Sequence, residues 1–252
     1  MAINKDVLLS MVQQTKVELP YSKTKVQLRA FLVKEMKLLL MASENLETKG
    51  DKSYIEVISQ IIKNCVVSPT DLDIDNLPIF EIELLYTHLW MLSKGESIIP
   101  ITFRCVNEIK ISEVQKHTCD TEINTRINLK TAKISETINP EIKLNDQMSV
   151  TMRYPTLAEL SYYDLNSETD IFNLICRCID VITIQGESGK VGTDYSFDEV
   201  SEILEYLTSE SLEKMTHFID NLPSMQIALV LKCPSCGHEE PILLKGIEDF
   251  FL

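Results

Sequence analysis

The residues best suited to chemistry lie close to the end of the chain, in Val230-Leu231-Lys232-Cys233-Pro234-Ser235-Cys236-Gly237-His238, an apolar strand running into a Cys-x-x-Cys turn. Two thiolates on such a turn grip one side of a metal ion. Pro234 fixes one backbone dihedral and Gly237 permits a positive one, so backbone amides can point at the sulfurs. Two thiolates fill half of a tetrahedral shell, and zinc in a structural role takes four ligands. Cys105 and Cys119 are the expected remainder. Phe103-Arg104-Cys105 and Cys119-Asp120-Thr121 repeat the strand-cysteine, cysteine-strand polarity of the terminal pair. Their thirteen-residue separation is read as an insertion, Val106 to Thr118, between two ligands. The expected site is therefore Cys105, Cys119, Cys233 and Cys236 around a structural Zn²⁺, closed to water and contributing on the order of 10 kcal/mol to folding. The competing reading has four metal-free thiols, with His117 and His238 as rival ligands beside them.

Motifs for catalysis do not emerge. The sequence contains no His-Glu-x-x-His, no Gly-x-Ser-x-Gly elbow and no Gly-x-Gly-x-x-Gly turn after a strand. Gly186 to Val191 superficially resembles a phosphate loop, but Val191 stands where Mg²⁺ needs a hydroxyl, so a flexible turn is expected. Asp71, Asp73 and Asp75 alternate as in a calcium loop, yet Leu77-Pro78 occupies its glycine region and no glutamate closes the ring. An acidic helix start is the better account. Glu81 and Glu83 cannot share one helical face and form no acid–base pair. No catalytic residue is assigned, and the chain is expected not to be an enzyme.

Composition bounds the rest. The 252 residues, 44% hydrophobic, suffice for a real core. Seven cysteines, without a secretory segment at the start, favour metal binding or buried free thiols over disulfides. Cys65, Cys176 and Cys178 lie in apolar helical patterns and are expected in the core. No apolar run reaches the roughly 18 residues that span a bilayer. A formal charge of −14, read as spread along the chain, with Lys63, Lys116, Arg126, Lys130, Lys133 and Lys143 interrupted by acids or apolar residues, argues against nucleic-acid binding and for protein partners.

The elements that must position the cysteines follow from periodicity. Residues 1–25 are polar, contain Pro20 and are read as an N-terminal arm. Residues 26–96 form a helical segment: Phe31, Leu32, Met36, Leu39 and Leu40 share one face, Tyr54, Ile58, Ile61, Ile62 and Cys65 a second, and Phe80, Leu84, Leu85, Leu89 and Trp90 a third, begun at Pro78. In residues 97–155 the pattern turns two-residue, as in Ile99, Ile101 and Phe103, giving a β segment with Cys105 and Cys119. Residues 156–222 return to helical spacing through Ile171, Leu174, Ile175, Cys178, Ile179 and Ile182. A capping box at Ser196 and Glu199 follows, then helices bearing Val200, Leu204, Leu207, Leu212, Met215 and Phe218. Residues 223–252 supply two strands joined by the knuckle, packing on the β segment. The fold class expected is α+β, helical segments flanking a small antiparallel sheet with a zinc-ribbon-like cysteine site.

Several ordered blocks then carry a resemblance. Phe31 to Ala42, Ile61 to Cys65, Leu77 to Leu85, Ser93 to Glu96, Met152-Arg153-Tyr154-Pro155, and the closing Cys-Pro-x-Cys-Gly with Gly246 to Phe251 resemble the baseplate hub assembly proteins of contractile-tailed bacteriophages (myoviruses). The likeness runs from about Val26 to Leu252. It implies a non-enzymatic viral protein that helps to build the central hub of the tail baseplate, as a hub component or an assembly chaperone. Its partners would be phage baseplate hub proteins, with neither nucleic acid nor membrane, and no oligomeric state is assigned. Its place would be the host cytoplasm during virion assembly, or the virion tail baseplate. The family often shows a compact cysteine pair where this chain has Cys105 and the distant Cys119. The alternative is a zinc-ribbon protein that binds nucleic acid or regulates.

Overall fold

The computed structural model describes residues 5–49, 51–110, 116–164 and 167–251. In chain order the elements are α1 (Lys5–Ser10), β1 (Gln14–Glu18), β2 (Lys25–Arg29), α2 (Val33–Lys49), α3 (Asp51–Cys65), β3 (Val66–Ser68), α4 (Ile79–Lys94), β4 (Ile98–Arg104), β5 (Glu108–Lys110), β6 (Lys116–Thr118), β7 (Glu122–Asn128) and β8 (Lys133–Ile134). They continue as β9 (Glu141–Lys143), β10 (Met148–Met152), α5 (Leu157–Tyr162), α6 (Glu168–Cys178), β11 (Ile179–Ile184), β12 (Glu187–Lys190), α7 (Phe197–Glu205), α8 (Ser209–Asp220), β13 (Met225–Lys232), β14 (Glu239–Lys245) and α9 (Gly246–Phe251). Helices and strands are thus mixed, and the sheets are small and antiparallel. Two compact units divide the chain, a larger one of Met1–Thr70, Glu83–Ser135 and Ser224–Leu252 and a smaller one of Asp71–Ile82 and Glu136–Pro223.

In the larger unit β1, β2 and β3 form one antiparallel sheet, with Val17 opposite Val26. Val17, Leu19, Val26 and Leu28 are buried. Residues 14–18 were read as part of an N-terminal arm; one apolar side chain, Val17, in so short a strand is too little for alternation to register, and the partner strand supplies the rest of the apolar face. Val26, read as the start of a helical segment, likewise lies in β2. Helices α2 and α3 pack together, burying Leu39, Ile58, Ile61, Ile62 and Cys65. Tyr54, placed on the same face, has a side chain outside the described residues. The start of α2 is held by a buried ion pair, Arg29 Nη2 to Glu35 Oε1 at 3.0 Å, while the Leu32 N–H donates to the other carboxylate oxygen at 2.8 Å. Burial opposes ionisation of Glu35, but the Arg29 hydrogen bond, the Leu32 N–H and the charges of Arg29 and Lys34 hold its carboxyl below the usual range.

Two hairpins complete this unit. β4 and β7 pair from Ile98 opposite Asn128 to Arg104 opposite Glu122, and β13 and β14 from Gln226 opposite Lys245 to Lys232 opposite Glu239. Strand alternation sends Ile99, Ile101, Phe103, Ile123 and Ile127 from the first, and Ile227, Leu229, Leu231, Ile242 and Leu244 from the second, into two apolar clusters. Each fully buried side chain of this size contributes roughly 1.5–3 kcal/mol. The α9 helix, which periodicity leaves as an unassigned tail, adds Phe250 and Phe251 beside Trp90 of α4.

In the smaller unit a four-stranded antiparallel sheet has the order β12-β11-β10-β9. Around it Phe80 meets Tyr154 edge-on at 5.2 Å and Tyr154 stacks on Phe218 at 5.5 Å. Asp73 caps a 3-10 turn over Ile74–Asn76, so the Asp71 to Asp75 run is an acidic turn start. Both Thr156–Glu159 and Ser196–Glu199 form complete capping boxes. The helix expected through Ile182 stops at Cys178. Ile179 and Ile182 fit a helical face and a strand equally well, and the β-branched run Ile179-Asp-Val-Ile-Thr-Ile favours pairing with β10. The expected flexible stretch from Gly186 to Gly192 begins as a tight hairpin turn between β11 and β12, in which Gln185 and Gly186 both take positive φ. Among the described residues no helix is long and apolar enough to cross a membrane.

Candidate metal centre

Cys105 follows the last residue of β4 and Cys233 the last residue of β13, while Cys119 and Cys236 stand on the returning sides of the two turns. The backbone closes both turns in the same way. In the terminal knuckle the Cys233 N–H donates to His238 O at 2.8 Å and the Gly237 N–H to Cys233 O at 3.0 Å. In the other, the Cys105 N–H donates to Thr121 O at 2.9 Å and the Asp120 N–H to Cys105 O at 3.0 Å. The residue after the second cysteine has positive φ in each, Gly237 at 71° and Asp120 at 51°. Asp is among the few residues that tolerate this conformation. The second turn is therefore a knuckle whose two-residue tip has been exchanged for residues 106–118, where β5 and β6 pair as a hairpin of their own.

The sequence-derived four are brought together. Their sulfurs lie within 4.8 Å of one another, with Cys105 to Cys236 and Cys119 to Cys233 both at 3.7 Å. Cys105 and Cys233 are buried, and Ile123 and Leu231 pack beside them. His117 and His238, the rival ligands, are exposed and stand outside this cluster. Cys65, Cys176 and Cys178 are buried, as expected for core thiols.

Hydrogen-bond donors surround the sulfurs. The Cys236 backbone N–H donates to Cys233 and, with the Ser235 N–H and the thiols of Cys236 and Cys105, holds that thiol down to about 6 against burial. At Cys105 the Asn107 N–H favours the thiolate, but burial and the thiols of Cys236, Cys233 and Cys119 outweigh it and push the group up to about 12. The Thr121 hydroxyl, 3.2 Å from Cys119, and its backbone N–H lower Cys119. Four thiols this close cannot all ionise without a cation, and one that replaces their protons would relieve the conflict. The four cysteines can hold a metal ion, and an all-sulfur set selects a soft or borderline tetrahedral one.

Asn107 and Thr121 were missed by the sequence reading. Their signal was positional: each lies two residues beyond a cysteine, as Ser235 and His238 do in the better-formed knuckle. A buried carboxylate was missed as well. Glu83 accepts the Met225 N–H at 2.7 Å and is pushed up to about 8, chiefly by burial, with the Glu248 charge adding to it.

Comparison with known proteins bears on what this architecture serves. The family model described as "T4 bacteriophage base plate protein" matches residues 11–252. The chain is also 27% identical over 226 residues to the baseplate hub assembly protein gp26 of Enterobacteria phage T4, covering 90% of this chain and 92% of that protein. No solved structure matches it.

Proposed function

The chain belongs to the T4 bacteriophage base plate protein family, and from that premise we propose that it is a non-enzymatic factor in assembly of the central hub of a phage tail baseplate. It acts as a hub component or an assembly chaperone, through contacts with other baseplate proteins, in the infected host cell or in the finished tail. The observation that carries this reading is a family match from residue 11 to residue 252, with a hub assembly protein similar over 90% of the chain. Removing the reading frame from the phage that encodes it and imaging the lysate tests it. The expected result is a loss of complete baseplates with hub intermediates accumulating; normal yields of finished tails would overturn the reading.

Zinc at Cys105, Cys119, Cys233 and Cys236 is part of the proposal. A tetrahedral ion about 2.3 Å from each sulfur sets neighbouring sulfurs about 3.8 Å apart, close to the two 3.7 Å pairs. Four protein ligands leave no position for water, so the ion would join the β4–β7 and β13–β14 hairpins as in a zinc ribbon and supply no reaction. The alternative of a nucleic-acid-binding ribbon is disfavoured by the outward face of β13 and β14. It carries exposed Val230 and Leu243, and Lys232 is committed to Glu239 at 2.8 Å.

A further inference from the structure

We infer that Asn107 is a positioning residue of the metal site, the group that ties one knuckle to the other and sustains Cys236 as a ligand. The inference rests on the four-thiolate reading above. Asn107 makes three separate links. Its backbone N–H donates to the Cys105 sulfur. Its carbonyl accepts the Cys119 N–H at 2.9 Å, closing the base of the inserted hairpin. Its side-chain amide Nδ2 donates to Cys236 Sγ at 3.6 Å, across 129 residues of sequence. The first two links belong to its own knuckle and the third reaches the opposite one.

The third link has a chemical purpose. A divalent ion in four thiolates leaves a formal −2 charge, and N–H donors to sulfur spread that charge and fix where each lone pair points. Backbone amides serve Cys233 and Cys105, and Thr121 serves Cys119. Beside the Cys105 sulfur at 3.7 Å, Cys236 receives the Asn107 side-chain N–H at 3.6 Å. The exchanged tip is thus no passive insertion, because its second residue completes the ring of donors. At the same place in the terminal knuckle stands Ser235, whose backbone N–H serves Cys233.

The test uses the full chain, stripped of metal and titrated with zinc against a chromophoric chelator, beside N107A, N107D and, as a control on the exposed face of β7, N124A. N107A is expected to bind zinc about 10- to 100-fold more weakly, the range found when partners of metal ligands are removed. N107D is expected to be weaker still, because it keeps the shape and both backbone bonds but sets a carboxylate against thiolates. A role in packing alone would rank the near-isosteric N107D above N107A. With Co²⁺ as the probe, loss of the N–H donor should also move the thiolate-to-metal charge-transfer band to longer wavelength. If N107A does not fold, N107S supplies the comparison with N107D. Affinities within twofold of the parent for both N107A and N107D, with an unmoved band, would overturn the inference. A parent chain that takes up no zinc, and that C236S leaves unchanged, would overturn the four-thiolate reading itself and Asn107 with it.

Discussion

Glu83 shows how much a single side chain can say that its place in the sequence does not. Within Phe80-Glu81-Ile82-Glu83-Leu84 it looks like a residue of a solvated helix face, yet it is 7% exposed, takes the Met225 N–H, and leaves no room for a Cβ at Gly246. Its carboxyl, raised from 4.5 to about 8, binds its proton more tightly in the folded chain than in the unfolded one. The contribution to stability is therefore full below about pH 4.5 and is lost as pH climbs towards 8, at no more than about 1.4 kcal/mol per pH unit. In E83Q that loss should vanish: the gap in melting temperature between variant and parent should widen in the variant's favour from pH 5 to pH 8.5, and a constant gap would refute the assignment. The cysteines were legible for the opposite reason. Cys-Pro-x-Cys-Gly is a local turn whose dihedrals follow from proline and glycine, and Cys105 and Cys119 could be paired to it from their strand polarity. Serine at any of the four should abolish zinc uptake measured by elemental analysis, whereas C65S should retain it.

At the scale of elements, alternation disclosed β4, β7, β10, β13 and β14, because each sends every second residue into a core. It did not disclose β1, β11, β12 or α9, which are short or whose residues satisfy two periodicities at once. The turns that connect elements give direct tests. Gly237 at φ 71° should tolerate alanine poorly, with G237A costing about 1–2 kcal/mol in chemical denaturation of the metal-free chain. An equal stability would mean that the knuckle relaxes to another backbone. At α2, the Arg29–Glu35 pair is buried on both sides, and its side chains also hold Asn64 O and the Leu32 N–H. Removing Arg29 leaves the buried Glu35 carboxylate with the largely exposed Lys34 ammonium at 3.4 Å and without its guanidinium partner, so R29M should cost about 3 kcal/mol in urea unfolding. A cost below about 1 kcal/mol would place the pair with surface ion pairs instead.

The whole molecule departs furthest from what the sequence discloses, because its two units interleave along the chain. Residues 136–223, together with 71–82, fall between segments of the larger unit, and no linker composition marks the junctions. That partition also revises the charge. The acidity read as spread along the chain is concentrated: the smaller unit carries 21 acidic and 5 basic side chains, a formal −16, and the larger unit 17 and 19, a formal +2. Cys105, Cys119, Cys233 and Cys236 all belong to the larger unit, so a metal there should govern that unit selectively. On chelation, hydrogen exchange should quicken in β4, β7, β13 and β14 and stay slow in β10 and β11; uniform change would contradict a local clamp. The central claim, a metal-closed protein that works by binding other baseplate proteins during hub assembly, is tested most directly by recovering a tagged chain from phage-infected cells beside its C233S/C236S variant and identifying the bound proteins by mass spectrometry. The account expects baseplate hub proteins with the parent chain and their loss with the variant. Recovery of no viral structural protein with the parent, or the same partners with both, would contradict it.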